Sequence, residues 1–265
     1  MAGLATDDVL TLLKEVATEV ITPRFRALAD GEVIEKNPGD LVTVADREAE
    51  VLITQALTAS YSKAVVLGEE AFAADPGLMD SYLAAEHTFT VDPVDGTKNF
   101  VEGSPDHAVM VSESIGDETV RAWIWQPEHG VAWVAERGNG LWRNGVRVQR
   151  PPLADGVDPV GATSTWALRG KRLGDLPTMR LSWACYGVDY PHLIEGDCDY
   201  IVYTRSHPWD HLPGTLMLAE AGGAFGHADG SPYTRRSQVR GLVVAADPAT
   251  YSAMQPLARA ALTRR

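Results

Sequence analysis

Val91-Asp92-Pro93-Val94-Asp95-Gly96-Thr97-Lys98-Asn99-Phe100 follows an apolar, β-rich run, Thr88-Phe89-Thr90-Val91, that reads as a strand. Pro93 and Gly96 force a turn at its end, and Asp92 and Asp95 fall on that turn. Two carboxylates three residues apart at a strand end can converge on one point, and carboxylate oxygens are the ligands hard divalent cations such as Mg²⁺ take. Gly96-Thr97 then opens a helix whose free amides suit a phosphate. An Asx-turn with two solvated aspartates reads the same ten residues equally well, so the rest of the chain has to choose.

The chain has 265 residues, enough for one large domain or two intimately packed ones. With 45% hydrophobic and 22% charged residues it has the make-up of an ordinary soluble globular protein. A formal net charge of -13 argues against duplex nucleic acid or an anionic membrane as the main partner. An anionic substrate would need a metal or a local basic patch. The start, Met1-Ala2-Gly3-Leu4-Ala5-Thr6-Asp7-Asp8, lacks the basic and apolar regions of a signal peptide, and no run approaches a bilayer span. Cys185 and Cys198 lack CxxC spacing and read as buried free thiols. A cytoplasmic protein is expected.

Around the central motif, Leu4 to about residue 29 shows an amphipathic helix kinked or divided at Pro23. Residues 35–40 form a loop or hairpin tip, Leu41–Val44 a short strand, and Asp46 precedes a second helix as a candidate N-cap. Ala64–Leu67 reads as a buried strand ending at Gly68-Glu69-Glu70, where adjacent glutamates on a strand would point to opposite sides. Residues 71–87 are a polar, Ala-rich excursion. From 106 to 150, strands separated by Gly, Pro, Asp and Asn turns predict an antiparallel meander with its tryptophans in the core and on the sheet faces. Pro151–Gly156 is the expected boundary between an N-terminal part, 1–150, and a C-terminal α/β part, 151–265. Beyond it come a strand at 158–163, polar helix-like residues to 174, an apolar run Met179–Trp183 and a strand at Asp199–Thr204. A helix through Leu212–Ala219 stops at Gly222-Gly223, and a late buried strand at 241–246 precedes a terminal helix at 248–263.

Asp210 stands just before the Leu212 helix and is by itself another N-cap candidate. Together, Glu69, Asp92, Asp95 and Asp210 each lie where a strand or loop meets a helix, the place open α/β architectures use for ligands. The four combine into one expectation, a polynuclear Mg²⁺ site.

Gly68-Glu69-Glu70, Asp92-Pro93-Val94-Asp95-Gly96-Thr97-Lys98-Asn99-Phe100, Trp209-Asp210 with Glu220-Ala221-Gly222-Gly223, and Asp40-Leu41-Val42-Thr43-Val44-Ala45-Asp46 resemble the signatures of the inositol monophosphatase family of Mg²⁺-dependent, lithium-sensitive phosphatases. The motifs keep the family's order and spacing over nearly the whole chain. The resemblance implies an α+β layered α-β-α-β-α sandwich like that of the fructose-1,6-bisphosphatases, a homodimer, and a phosphoric monoester hydrolase acting on a small phosphorylated metabolite. It also implies roles. Glu69, Asp92 and the Val94 carbonyl would hold one Mg²⁺, and Asp92, Asp95 and Asp210 a second. Asp46 and Thr97 would position and deprotonate the attacking water. A third, weaker metal near Glu69 could help activate it. The Gly96 and Thr97 amides would take the phosphate.

Some positions depart from the family pattern. Tyr203 stands seven residues before Asp210, where inositol-specific members carry a glutamate, and Trp183 lies in Leu181–Cys185, the run matched to a small-residue pocket segment. Trp183, Tyr203 and Arg205 are therefore the candidate substrate-binding residues, and Arg205 reads equally as a surface contact. These departures weigh against inositol specificity; histidinol phosphate, whose amine suits an acidic chain, leads 3′-phosphoadenosine phosphates and fructose 1,6-bisphosphate among the alternatives. A non-enzymatic regulatory protein is the remote one. His207 and His211 are not expected to form a zinc pair, Glu220 belongs to the helix and not to the metals, and Lys36 reads as a solvated loop lysine.

Overall fold

A computed structural model describes residues 3–37 and 40–263. Pro38 and Gly39 of the expected hairpin tip lie outside the described residues. The described chain builds eight α-helices and fourteen strands. The N-terminal helix α1 (Thr6–Val16) buries Val9, Leu13 and Val16 on one face, then runs into a π-helical turn (Ala17–Ile21) and a 3-10 turn (Thr22–Arg24) that holds Pro23. Two short antiparallel strands, β1 (Val33–Asn37) and β2 (Asp40–Thr43), lead into α2 (Val44–Ser60). Its N-cap is Thr43 and not Asp46. Thr43 Oγ1 accepts from the Ala45 amide, and Asp46, three residues on, accepts from the Thr43 amide at 2.9 Å, a capping box.

The larger sheet has the order β3 (Val65–Gly68), β4 (His87–Asp95), β5 (Ala108–Ile115), β6 (Glu118–Gln126), β7 (Val131–Glu136), β8 (Gly140–Arg143), β9 (Val146–Val148). Only β3–β4 is parallel; the rest is the expected meander. The excursion between β3 and β4 contains two short helices, α3 (Glu69–Ala74) and α4 (Leu78–Ala84), and a third, α5 (Thr97–Val101), follows β4. Trp123 and Trp133 are fully buried, in keeping with their reading as core residues.

The smaller sheet runs β11 (Arg180–Leu181), β10 (Gly161–Thr163), β12 (Tyr200–Tyr203), β14 (Leu242–Ala245), β13 (Ala224–His227). Between its strands lie α6 (Tyr186–Glu195) and α7 (Pro208–Glu220), and α8 (Pro248–Thr263) ends the chain. The polar stretch before residue 174 holds no α-helix, only a 3-10 turn at Trp166–Leu168. No long apolar stripe there could drive a helix onto the core.

The layers follow from the burial. Helices α1 and α2 cover one face of the larger sheet through Leu13, Ile53, Phe89 and Val111. On its other face, α6 and α7 fill the space between the two sheets with Tyr190, Leu193, Leu212 and Leu216 against Met110, Ile124 and Val244. The far side of the smaller sheet is closed by α8 through Met254 and Ala258. The result is an α-β-α-β-α sandwich. No described helix is long and apolar enough to cross a membrane, and Cys185 and Cys198 are buried free thiols.

Candidate active site

Asp92 and Asp95 share one side of β4 because the strand is bulged between them. Asp92 pairs with Met110 and Asp95 with Ala108, so three steps on β4 match two on β5. In a regular strand, residues three apart face opposite ways; the extra residue restores a common side. The chain then turns at Gly96, whose φ is +81° and whose missing Cβ would stand 2.9 Å from Cys185 Cβ and 3.0 Å from the Asp106 carbonyl. Any side chain there would be strained and crowded.

The bulge opens into a cavity of about 650 Å³ lined by Glu69, Asp92, Asp95 and Asp210, together with Val94, Gly96, Thr97, Tyr186 and Trp209. Asp210 sits in the first turn of α7, which begins at Pro208, so it lies inside the helix and not before it. Asp46 does not line the cavity. It stands behind Thr97, whose Oγ1 donates to Asp46 Oδ1 at 3.1 Å and also lies 3.1 Å from the Val94 carbonyl. The other oxygen of Asp46 is held by Thr43 Oγ1 at 2.5 Å.

Burial and crowding of like charge set the electrostatics. Burial, then the charges of Glu69, Asp95 and Asp210, push Asp92 well above the ordinary carboxylate range. Its Oδ1 is buried without a hydrogen-bond partner. Burial lifts Asp95 to about 8 against the opposing donors Cys185 and Gly187. It lifts Glu69 to about 8 with Lys36 opposing, and Asp46 to about 6 against its Thr43 donors. Protons or a cation must relieve such a cluster.

Lys36 belongs to the site, contrary to its reading as a solvated lysine. Its ammonium lies 3.1 Å from Glu69 Oε1 and 2.7 Å from Glu70 Oε1. Burial alone would lower its pKa, but the two carboxylates outweigh burial and hold it above the ordinary range. Glu69 and Glu70 both reach it because they open α3. Successive helical residues diverge by about 100°, not by the half-turn of a strand.

The substrate-side expectations need more correction. Tyr203 is fully buried behind the cavity, and its hydroxyl donates to Asp189 Oδ2 at 3.2 Å. Trp183 turns away and stacks on His192 at 3.9 Å between ring centres. In the cavity wall stand Ala184, with φ +58°, and Tyr186. Ala184 belongs to the run matched to the pocket segment; Tyr186 was missed because α6 itself was missed, Gly187 and Pro191 obscuring its helical pattern. Arg205 does line the cavity, as do Lys98 and His207. His211 faces inward to Tyr190, with 3.0 Å between its Nδ1 and the Tyr190 hydroxyl, so no zinc pair forms with His207. Glu220 accepts from the Gly138 and Gly140 amides, away from the cavity.

Among the described residues no three His, Cys, Asp or Glu side chains stand together at metal-binding spacing. The donor chemistry nevertheless fits a hard divalent cation. Four carboxylates face one cavity, and one buried oxygen of Asp92 has no other partner.

The inositol monophosphatase family model matches residues 6–263. An inositol-1-monophosphatase of Rhizobium meliloti is 30% identical over 219 residues, 78% of this chain and 79% of that protein. A protein of Vibrio cholerae named Nus factor SuhB is 28% identical over 229 residues, 82% of each. In structure, an IMPase of Thermotoga maritima superposes with a TM-score of 0.81 over 97% of both chains at 22% identity, a likeness of fold.

Proposed function

Since the chain belongs to the inositol monophosphatase family, we propose that it is a Mg²⁺-dependent phosphomonoesterase acting on a small phosphorylated metabolite. One observation carries the reading: the Asp46–Thr97–Val94 hydrogen-bonded set abuts a cavity faced by Glu69, Asp92, Asp95 and Asp210. Carboxylates alone would repel a phosphate; carboxylates that hold cations attract it.

Glu69, Asp92, Asp95, Asp210 and the Val94 carbonyl would hold two or three Mg²⁺. When bound, the metals neutralise phosphoryl charge and make a water acidic enough to attack at neutral pH. Asp46 then accepts a proton by way of Thr97 Oγ1, which orients the water. The Gly96 and Thr97 amides, at a helix start with no preceding carbonyls to bond, would take the phosphate oxygens. Cys185 and Gly187 fix the orientation of Asp95. At the mouth, Lys98 and Arg205 favour an anionic substrate and weigh against the amine of histidinol phosphate. The oligomer proposed is a homodimer. A non-enzymatic role draws on the relatives named Nus factor SuhB; against it, all four expected carboxylates line one cavity.

The test is Mg²⁺-dependent phosphate release from inositol 1-phosphate, histidinol phosphate, adenosine 3′,5′-bisphosphate and fructose 1,6-bisphosphate, with and without lithium. Release that lithium inhibits and the Asp95→Asn substitution abolishes supports the reading. Metal-independent release, or none from any ester, refutes it.

A further inference from the structure

The cavity does not end at its mouth. Phe72, Pro76, Arg205 and His207 are shared with a second, larger groove of about 1160 Å³, walled by Met79 and Leu83 of α4, Arg259 and Leu262 of α8, and the 237–241 loop. Four arginines line this groove, Arg205, Arg235, Arg240 and Arg259, against two aspartates, Asp80 and Asp229. The chain as a whole carries 36 acidic and 23 basic residues, so the local balance is the reverse of the global one.

The arginines differ in what they do. Arg235 is fully buried and spent on structure: its guanidinium donates to the Gly116, Tyr82 and Ala85 carbonyls. Next to it but outside the groove, Arg236 is tied to Asp117 and the Leu83 carbonyl. Arg205, Arg240 and Arg259 are exposed, and among the described residues none of them has a carboxylate within ion-pair distance. Of the acids, Asp229 accepts from the Ser231 amide at 2.9 Å and from its hydroxyl at 2.6 Å. Three guanidiniums without an ion pair therefore line the groove, Arg205 shared with the catalytic cavity and Arg259 close enough to Asp229 for their charges to interact. Planar, permanently charged forks of this kind match phosphate oxygens in pairs.

We propose that the substrate is a phosphomonoester whose leaving group carries a second phosphate, and that Arg240 and Arg259 bind this remote phosphate in the groove while Arg205 bridges the two compartments. The inference rests on the phosphomonoesterase reading and deepens it. A compact ester such as a cyclitol monophosphate occupies the first cavity and leaves the arginine groove unused. A sugar- or nucleoside-sized spacer lets both ends be held. The remote phosphate adds ground-state and transition-state binding alike, so its effect falls on KM more than on kcat.

The experiment compares matched pairs, glucose 6-phosphate with glucose 1,6-bisphosphate and adenosine 3′-monophosphate with adenosine 3′,5′-bisphosphate, in the wild-type enzyme and an Arg240→Ala/Arg259→Ala double variant. The expected result is a kcat/KM at least roughly tenfold higher for one bisphosphate than for its monophosphate, expressed in KM and weakened by salt. In the double variant that advantage disappears while monophosphate hydrolysis is unchanged. Equal kcat/KM within both pairs, or an advantage the double variant retains, overturns the proposal. If the wild type releases phosphate from none of the four, the phosphomonoesterase reading fails separately. Calorimetric titration of each bisphosphate into both proteins then decides the subsite: binding by the wild type lost in the variant sustains it, and equal or absent binding ends it.

Discussion

The Cys185 thiol donates to Asp95 Oδ2 across 2.9 Å, and the Gly187 amide donates to the same oxygen at 2.5 Å. A Cβ at Gly187 would stand 3.3 Å from that oxygen and 2.5 Å from Ala108 Cβ, so the glycine permits the close approach. With Oδ2 taken, Oδ1 is the oxygen left to face the cavity. Cys185 thus acts through Asp95 as a positioning residue.

Removing that donor should loosen Asp95 without removing it. Cys185→Ala is expected to raise the Mg²⁺ concentration needed for half-maximal activity by roughly tenfold, the scale for partners of metal ligands. Cys185→Ser, which keeps a donor, should restore most of it. Titrating activity with Mg²⁺ in the two variants checks this, and equal curves would refute the positioning role.

Asp92 gives the opposite sign for stability and activity. Its carboxylate is buried among like charges with one oxygen unpartnered. In chelator, Asp92→Asn should raise the thermal midpoint by several degrees, because a neutral amide ends the repulsion. The same variant should lose nearly all turnover. A lowered midpoint would mean that the carboxylate is better satisfied than its surroundings indicate.

Activity should carry an acidic limb from Asp46, which burial raises to about 6. The base works deprotonated, so kcat/KM rises as pH rises through that value at limiting Mg²⁺. Saturating Mg²⁺ adds nearby positive charge and should move the limb to lower pH. Asp46→Asn should cost on the order of 10²–10⁴ in rate, the range for a lost general base. A limb indifferent to Mg²⁺ would place the titrating group elsewhere.

Asp189, which accepts from the Trp183 amide at 2.8 Å and from Tyr203, is raised by burial to about 7 from 3.8. The folded state therefore favours the protonated form more than the unfolded chain does. Its stabilising contribution is full below about pH 3.8, declines above it and is lost as pH rises through about 7. Denaturant midpoints measured across that window should fall with pH in the wild type and fall less in Asp189→Asn. Parallel profiles would show that Asp189 is already charged when folded.

Much of the site was legible in short stretches. Carboxylates placed where a strand or loop meets a helix marked Glu69, Asp92, Asp95 and Asp210, and the structure brings all four to one cavity. Alternating strands and Gly-rich turns marked the meander. The failures share a cause. Helix α6 holds Gly187 and Pro191 and is buried on nearly all sides, so it shows no polar face to give it a period. Lys36 reads as solvent-facing because its partners, Glu69 and Glu70, lie more than thirty positions away.

The sequence by itself determined which side chains are candidates for the chemistry and most of the local elements that hold them, because turns, caps and periodicity act within a few residues. Tertiary structure alone decided which way those side chains face. The β4 bulge turned Asp92 and Asp95 to one side, and α6 carried Tyr186 into the cavity wall while Tyr203 and Trp183 faced away. The packing of α4 and α8 beside the cavity set three exposed arginines and the buried Arg235 along one groove. Those outcomes depend on register and packing between residues far apart in the chain, where one step along a strand reverses a side chain's direction and no local pattern records the choice.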